Sequence, residues 1–363
     1  MAVYVDDLTF AVKDPEAFVK RLEEVHKFKL KGTGPLKFHL GANFERDPDG
    51  SLCMSPKTYI EEFLTSSYVR MFGESPSTRY HAPLEHGDHP ELDTSELLDQ
   101  DGIDQYQSLI GSLQWLLTLG RFDIQVAVMS LSSFCVAPRH GHLNRIKRIC
   151  GYLKNMKNFN LRFCTHHPDY SDIPEDHQEW FQVYGDAKEN LPHNAHKPLG
   201  KSVTLTHYVD ANLFHDALTG RSVKACLHFI NGTPIEWYSK KQATVETATY
   251  GSEFVAARTC VEQIIDLRTT LCYLGVPVNE KSYMFGDNES IVNSSKNLYS
   301  KLTKRHNALS YHCVREAIAS GFVKFTYIPG KINPADILSK YWSYSDVKDL
   351  LLTVFHFQGD PLK

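Results

Sequence analysis

Four acidic residues have the spacing and the flanking sequence needed for metal-dependent chemistry. Two follow short strand-like runs, and the other two open predicted helices. An acid after a strand is usually a turn former, and an acid at a helix start stabilises the helix dipole, so neither position is diagnostic alone. Four carboxylates from separate elements, without a matching His or Cys, are typical of an all-oxygen site for Mg²⁺ or Mn²⁺. The four acids are Asp210, Glu253, Asp287 and Asp336.

The surrounding sequence predicts the elements that must position these acids. Residues 204–210, 223–230 and 234–239 are rich in β-branched and aromatic side chains and predict an antiparallel meander, with an Asn-Gly turn joining the last two strands. Residues 248–274 predict a long helix with an apolar stripe and with Glu253 in its first turn. We expect the acids to converge at one end of the central strands.

The second half of the chain, at about residues 201–345, resembles the ribonuclease H domain of Ty1/copia-type retrotransposon polyproteins. The order strand-Asp, helix-Glu, strand-Asp, helix-Asp is that of the ribonuclease H fold. The matching segments are Val209-Asp210-Ala211, Trp237-Tyr238-Ser239-Lys240-Lys241-Gln242, Ser252-Glu253-Phe254, Gly286-Asp287-Asn288-Glu289-Ser290 and Pro334-Ala335-Asp336-Ile337-Leu338-Ser339-Lys340.

This resemblance implies an endoribonuclease that cleaves the RNA strand of RNA/DNA hybrids with two Mg²⁺ ions, for which Mn²⁺ can substitute. In the family the four acids are metal ligands, and Asp210 would bridge the two ions. The resemblance also suggests Asn288 and Ser290 as contacts to the 2′-hydroxyl groups of the RNA strand.

The first residues resemble another part of the same polyproteins. Two apolar runs flank Asp6 and Asp7, which predicts a hairpin with two acids at its tip. An ordinary Asp-rich turn has the same pattern. However, Tyr4-Val5-Asp6-Asp7 resembles the Y-x-D-D signature of the reverse transcriptase palm. In the family, that hairpin presents carboxylates to the polymerase metals.

The resemblance to the reverse transcriptase is partial. The polymerase site of the family needs a further Asp and a fingers region upstream, and only three residues precede Tyr4. We therefore expect no polymerisation by this chain alone. It is interpreted either as a genomic remnant or as a fragment of a longer polyprotein, in which case the rest of Gag-Pol would be a partner.

The predicted fold class combines α/β and α+β parts. Partial palm hairpins and a helical thumb precede a ribonuclease H-like mixed five-stranded sheet with flanking helices. The second palm hairpin, which resembles the family's primer grip, is predicted to pair residues 36–41 with 52–55. The predicted units are the palm at 1–73, a loop at 74–105, thumb or connection helices at 106–163, a linker at 164–200, the ribonuclease H-like domain at 201–345 and a tail at 346–363.

Basic residues are clustered locally, although the net charge of the chain is −4. Residues 139–157 contain six cations and no acid, and in the resemblance they lie where the thumb tracks a duplex. A solvated helix face is the alternative interpretation. The candidate nucleic-acid contacts are Arg139, Arg145, Lys147, Arg148, Lys154, Lys157, Lys240 and Lys241.

Composition limits the remaining possibilities. The chain has 363 residues and eight cysteines without a C-x-x-C pair, which favours reduced thiols in an intracellular protein, either cytoplasmic in a virus-like particle or nuclear. The most apolar segment is interrupted by Arg121 and Asp123, so we expect no membrane span. We expect no small-molecule cofactor. The alternative to an endoribonuclease, from another functional class, is a module that binds RNA/DNA hybrids without cleaving them.

Overall fold

The computed structural model describes residues 2–4, 7–175, 178–302 and 304–357. The first elements form a hairpin and a helix whose side chains lie largely at the surface. Strands β1 (Ala2–Tyr4) and β2 (Asp7–Thr9) pair antiparallel, which confirms the predicted hairpin. Helix α1 (Pro15–Glu24) begins where the Asp14 carboxylate accepts a hydrogen bond from the amide of Ala17 at 2.9 Å.

A small four-stranded antiparallel sheet follows, in the order β3-β4-β5-β6. Its strands are β3 (Phe38–His39), β4 (Ala42–Arg46), β5 (Leu52–Ser55) and β6 (Leu161–Arg162). The predicted pairing of residues 36–41 with 52–55 is wrong, because β4 lies between them. Leu40 and Gly41 have positive φ angles of 52° and 88°, and the tight turn that they form brings β4 back against β3.

The helical region, from Lys57 to Asn155, extends further than the sequence predicted, because the first of its longer helices begins at Gln100, before residue 106. Residues 57–72 form α2 (Lys57–Glu62), a π-helical segment (Phe63–Tyr68) and α3 (Val69–Phe72), which Gly73 ends in the left-handed conformation. Three longer helices follow, α4 (Gln100–Thr118), α5 (Gln125–Ser132) and α6 (His140–Asn155).

Helix α4 begins within the predicted 74–105 loop. The reason is Asp99, whose carboxylate caps the helix by accepting the Gly102 amide at 2.9 Å. The same stretch also holds a 3₁₀ turn at Pro90–Leu92. The loop is therefore shorter than the sequence predicted.

The second half contains the predicted five-stranded mixed sheet, in the order β11-β10-β7-β8-β9. Its strands are β7 (Leu205–Asn212), β8 (Val223–Ile230), β9 (Thr233–Lys241), β10 (Ser282–Gly286) and β11 (Val323–Tyr327). The meander β7-β8-β9 is antiparallel, and β10 and β11 run parallel to β7. Asn231 and Gly232 both have positive φ, which confirms the predicted turn.

Helices cover both faces of this sheet. They are α7 (Phe181–Tyr184), α8 (Thr249–Tyr273), α9 (Glu289–Lys296), α10 (Ala308–Ala319), α11 (Asp336–Ser339) and α12 (Tyr344–Val354). On one face, α8 and α10 form a core with Val209, Cys226 and Met284.

The other face of the sheet shares a hydrophobic core with the preceding helices α4–α6. Ala225 and Leu227 of β8 belong to the same buried cluster as Leu109 and Leu131. The rings of Phe122 and Trp237 lie 5.0 Å apart, which joins the helical region directly to β9.

Two segments differ from the predicted linker and tail. Within the predicted 164–200 linker, the ring of Tyr170 packs at a tilt against that of Tyr283, with the ring centroids 4.4 Å apart, and α7 forms a helical turn. The predicted tail from residue 346 instead continues α12. Its apolar residues Val347, Leu350 and Leu351 lie in the shared core because they recur on one helix face.

Within the described ranges, every helix is too short or too polar to cross a bilayer.

A buried ion pair anchors the helical region. The guanidinium of Arg121 donates to Asp123 at 2.9 and 2.7 Å, and the hydroxyl of Tyr152 donates to the same carboxylate at 2.7 Å. Both charged side chains are fully buried. Replacing one partner would leave the other charge without compensation in the core.

We predict that Asp123→Ala lowers the free energy of unfolding by about 3 to 5 kcal/mol, because it strands the Arg121 charge in the core. Denaturant titration followed by circular dichroism measures the change. The control is Asp104→Ala, an exposed residue of α4, which should cost less than about 0.5 kcal/mol. An equal effect of the two substitutions would contradict a special role of the buried pair.

Candidate active site

Parallel pairing of β7 with β10 brings two of the predicted acids together. Val209 is opposite Gly286 in the register, so the residues that follow them, Asp210 and Asp287, leave the sheet side by side. A side chain at Gly286 would meet the ring of Phe325 at 3.1 Å, so the glycine permits close packing immediately before Asp287. The carboxylate positions are thus set by strand register.

Helix α8 supplies the third carboxylate. Glu253 is the fifth residue of α8, just past the first turn in which it was predicted, and it is buried at 6% exposure. Carboxylate oxygens of Asp210, Glu253 and Asp287 all lie within 4.8 Å of one another. The structure therefore brings together three of the four predicted ligands in one cluster.

The clustered negative charges change the protonation of this site. Burial, followed by the charges of Asp210 and Asp287, raises the pKa of Glu253 well above its usual range. Burial and the charge of Asp210 also raise the pKa of Asp287. Carboxylates held this close are stabilised by a cation among them.

The fourth acid, Asp336, lies beside this cluster and shares a lysine with it. Its Oδ1 accepts a hydrogen bond from Nζ of Lys340 at 2.6 Å, and the same Nζ lies 3.4 Å from Oδ2 of Asp210. Burial and the charge of Asp210 raise the pKa of Asp336 to about 7, although Lys340 opposes that shift. Burial would lower the pKa of Lys340, but Asp210 and Asp336 outweigh it and raise that pKa.

Neighbouring polar groups fix the orientation of the cluster. The hydroxyl of Ser339 donates to Oδ2 of Asp210. The fully buried Asn333 donates through Nδ2 to the carbonyl of Val209 at 3.0 Å, and its Oδ1 accepts the amide of Ala335 at 3.1 Å. Asn333 thereby ties the turn before α11 to the strand that carries Asp210.

Lys340, Ser339 and Asn333 are functional residues to which the sequence alone gave no role. A signal for Lys340 was present, because a Lys four residues after an Asp on a helix places the two side chains on the same face. Ser339 and Asn333 gave no such signal, since their partners on β7 are more than 120 residues away in the chain.

The donor set of the site fits a hard divalent cation. Three carboxylates with oxygens within 4.8 Å provide negative charge and oxygen ligands without sulfur or imidazole, which is the preference of Mg²⁺ and Mn²⁺. Asp336 could add a ligand after release from Lys340. The donor types of the three clustered acids therefore fit such a cation, and ligation by all four acids stays a prediction.

A cavity of about 730 Å³ opens beside Asp336. Asp336, Lys340 and Lys331 lie on one side of it, and residues 86–89 from the helical half lie on the other. Both halves of the chain therefore line this cavity, and Asp336 is the one of the four acids that contributes to its lining.

The proposed 2′-hydroxyl contacts lie just beyond Asp287. The side chain of Asn288 caps α9 by accepting the amide of Ile291 at 3.3 Å, which gives it a structural role. Ser290 is exposed in the first turn of that helix.

Arg145, at the centre of the predicted basic patch on α6, is held by acids of the same chain. Its guanidinium forms ion pairs with Asp88 at 2.7 Å and Asp93 at 2.6 Å. Burial would raise the pKa of Asp93, but hydrogen bonds from Ser95 and Arg145 bring it down to about 2. The observed contacts of Arg145 are structural.

Most of the other candidate cations contact partners within the chain, and one faces solvent. Arg139 donates to the carbonyl of Ser95, Lys147 lies 4.0 Å from the ring of Phe72, Arg148 pairs with Glu85 at 2.6 Å, Lys154 donates to Ser75 at 2.9 Å and Lys157 pairs with Glu61 at 2.7 Å. Lys241 pairs with Asp216 at 2.6 Å, whereas Lys240 is exposed. A phosphate contact by the paired cations would therefore compete with bonds already made.

The polymerase-like residues lie at the opposite end of the chain. Tyr4 and Asp7 are exposed and pair with each other across the β1–β2 hairpin. Asp6 lies outside the described residues. Their role in polymerisation stays a prediction.

Comparisons with known proteins confirm the predicted resemblance to retrotransposon polyproteins. The chain is 25% identical over 341 residues to the retrovirus-related Pol polyprotein from transposon RE1 of Arabidopsis thaliana, covering 94% of this chain and 20% of that polyprotein. It is 26% identical over 343 residues to the corresponding protein from transposon TNT 1-94 of Nicotiana tabacum, covering 94% of this chain and 23% of that polyprotein. The chain thus spans about a fifth of the length of these relatives.

No family model matches the chain. Among solved structures, LC11-RNase H1 in complex with an RNA/DNA hybrid aligns with 17% identity and a TM-score of 0.31, covering 38% of this chain and 94% of that one.

We predict that Arg145→Ala lowers the free energy of unfolding by about 1 to 3 kcal/mol, because it leaves Asp88 and Asp93 without their cation. The matched control on the same helix is Lys154→Ala, which should cost about 1 kcal/mol or less. Denaturant titration measures both. If Arg145→Ala leaves the stability unchanged and flattens the salt dependence of hybrid binding, Arg145 instead contacts the substrate.

The raised pKa of Asp336 predicts the pH dependence of stability in the presence of a chelator. Between the ordinary pKa of 3.8 and about 7, the folded chain holds a proton that the unfolded chain has lost. The contribution of this carboxyl group to stability should therefore fall as the pH rises through this interval, whereas buried histidines such as His215 and His228, whose pKa values burial lowers, contribute in the opposite direction. Glu253 and Asp287 act in the same direction as Asp336.

Thermal unfolding of the chain in EDTA, from about pH 5 to about pH 8, measures this effect. Relative to the Tm of the unmodified chain, the Tm of Asp336→Asn should increase as the pH rises over this range, whereas the Tm difference of Asp172→Asn, at an exposed position, should stay constant. A Tm difference of Asp336→Asn that does not change with pH would contradict the assignment.

Proposed function

We propose that this chain is a divalent-metal-dependent endoribonuclease H that cleaves the RNA strand of RNA/DNA hybrids. The observation that carries the proposal is the convergence of Asp210, Glu253 and Asp287, whose oxygens lie within 4.8 Å of one another at the carboxyl ends of β7 and β10. The predicted order of acids and the similarity to retrotransposon Pol polyproteins support it.

Asp210 is the central ligand in this proposal, because its charge contributes to the raised pKa values of Glu253, Asp287 and Asp336. Asp336, on the far side of Lys340, would hold the more peripheral position. Two Mg²⁺ ions, or Mn²⁺, would supply Lewis-acid stabilisation of the scissile phosphate and a lowered pKa for the attacking water. Because the pKa values of Glu253 and Asp336 are raised, cation binding releases protons and strengthens as the pH rises.

The protein's own groups orient and balance this site. Ser339 holds one oxygen of Asp210, which limits rotation of that carboxylate. Lys340 places a positive charge between Asp210 and Asp336, so it stabilises the cluster before substrate arrives. Buried strands on both sides of Asp210 restrict water access from within the sheet.

The substrate would approach through the cavity beside Asp336. Lys331 and Lys340 line it and provide positive charge for a phosphate backbone, and exposed Lys240 adds a further candidate. Asn288 and Ser290, adjacent to Asp287, remain candidates for 2′-hydroxyl contacts. We propose that polymerisation by the Y-x-D-D-like hairpin needs the remaining Gag-Pol polyprotein, and that the chain acts in the cytoplasm or nucleus.

We predict that Asp210→Asn reduces hybrid cleavage to a few per cent of the unmodified rate or less, while the fold and hybrid binding persist. The substitution removes ligand charge and preserves shape. Cleavage of a labelled RNA/DNA hybrid in Mg²⁺ measures the rate, and a gel-shift titration measures binding. The control Asp186→Asn, at an exposed ion pair, should cleave normally. Substantial cleavage by Asp210→Asn would refute the carboxylate assignment.

A further inference from the structure

A second cluster of metal-ligating side chains lies away from the carboxylate site, where the small sheet meets the C-terminal segment. Asp47 directly follows β4, Cys53 lies on β5, and His356 follows α12. One ligand atom from each residue lies within 4.8 Å of the other two. The cluster therefore joins positions about 300 residues apart in the chain.

The separations within the cluster are close to those of a tetrahedral metal site. Sγ of Cys53 lies 3.5 Å from Oδ2 of Asp47, and Nε2 of His356 lies 2.8 Å from the same oxygen. Around a tetrahedral Zn²⁺, sulfur and oxygen ligands are about 3.6 Å apart, and nitrogen and oxygen ligands about 3.4 Å. The sulfur–oxygen pair already matches, and the imidazole must move away from Asp47 by about 0.6 Å.

We propose that Asp47, Cys53 and His356 form a transition-metal site that binds Zn²⁺ in preference to Mg²⁺. A thiolate and an imidazole favour zinc over hard cations, because magnesium prefers oxygen ligands. The three side chains supply the usual number of protein ligands of an open zinc site, in which water takes the fourth position. This site is chemically distinct from the all-carboxylate cluster.

The charged groups around the cluster are compatible with a bound dication. Nε of Arg162 lies 3.8 Å from Oδ2 of Asp47, but its guanidinium also pairs with Asp49. Two carboxylates and a thiolate would place three negative charges beside one arginine. When His356 is neutral, a bound dication neutralises the two negative charges that the arginine leaves unbalanced.

Metal binding must displace the proton of the Cys53 thiol. Burial, followed by the hydrogen bond to Asp47, raises the pKa of Cys53 to about 11. The thiol is therefore protonated in the metal-free chain at neutral pH, and zinc affinity should increase with pH as the proton is released.

The backbone already places His356 for this role. His356 and Asn160 exchange two backbone hydrogen bonds of 2.9 Å, and the ring of the adjacent Phe355 stacks on Phe159 at 5.0 Å. The C-terminal segment is thus held beside β6, the neighbour of β5. A metal at this point would fasten the end of the chain to the small sheet.

Cobalt substitution of the full-length chain tests the proposal, because Co²⁺ bound to a thiolate gives a ligand-to-metal charge-transfer band that carboxylate sites do not give. Titration in the Asp210→Asn background should show this band saturating at one equivalent, and Zn²⁺ should abolish it by displacement. Cys53→Ser should remove the band. His356→Gln, at a partly exposed position, should weaken Co²⁺ binding by more than about 100-fold, beyond the effect of losing a supporting contact.

The matched control is Cys164→Ser, a partly exposed cysteine outside the cluster, which should keep the band. Circular dichroism establishes that each variant is folded. Absence of a thiolate band in the unmodified chain, or its persistence in folded Cys53→Ser, would overturn the proposal. Because the Asp210→Asn background lacks the central carboxylate ligand, the outcome does not depend on ribonuclease activity.

Discussion

Repulsion among the acids at the ends of β7 and β10 is the constraint on which the site depends. Strand register brings Asp210 and Asp287 together, and α8 adds the buried Glu253. Such an arrangement is unfavourable for folding unless positive charge is nearby. Lys340 provides that charge within the chain, and a divalent cation would provide more of it. The same electrostatic strain that weakens the metal-free fold prepares the site for metal.

Much of the sheet could be predicted because its signals are local. Alternating β-branched and aromatic residues marked β7, β8 and β9, and an Asn-Gly pair marked their turn. The three clustered acids were also predicted, since each occurs at the end or start of a recognisable element. Their convergence was expected from the resemblance to the ribonuclease H fold, and the parallel pairing of β7 with β10 brings Asp210 and Asp287 together.

The contacts that the sequence could not show depend on partners distant in the chain. The acids that hold Arg145 lie in a stretch without periodicity, 52 and 57 residues earlier, so α6 alone looked like a free basic surface. The strand β4 was missed because Leu40 and Gly41 form a turn that is shorter than the predicted hairpin loop. The end of the chain was interpreted as a tail because the apolar face of α12 has its partners in the helical half.

The hydrophobic core shared by the sheet and the helices α4–α6 limits how this polypeptide can be rearranged during evolution. Ala225, Leu227 and Trp237 on the sheet face are covered by side chains from the first half of the chain and from α12. A recombination event that transferred residues 201–345 alone would expose that face to water. The unit that can fold with this face covered is therefore larger than residues 201–345, and it includes the helices that cover the sheet.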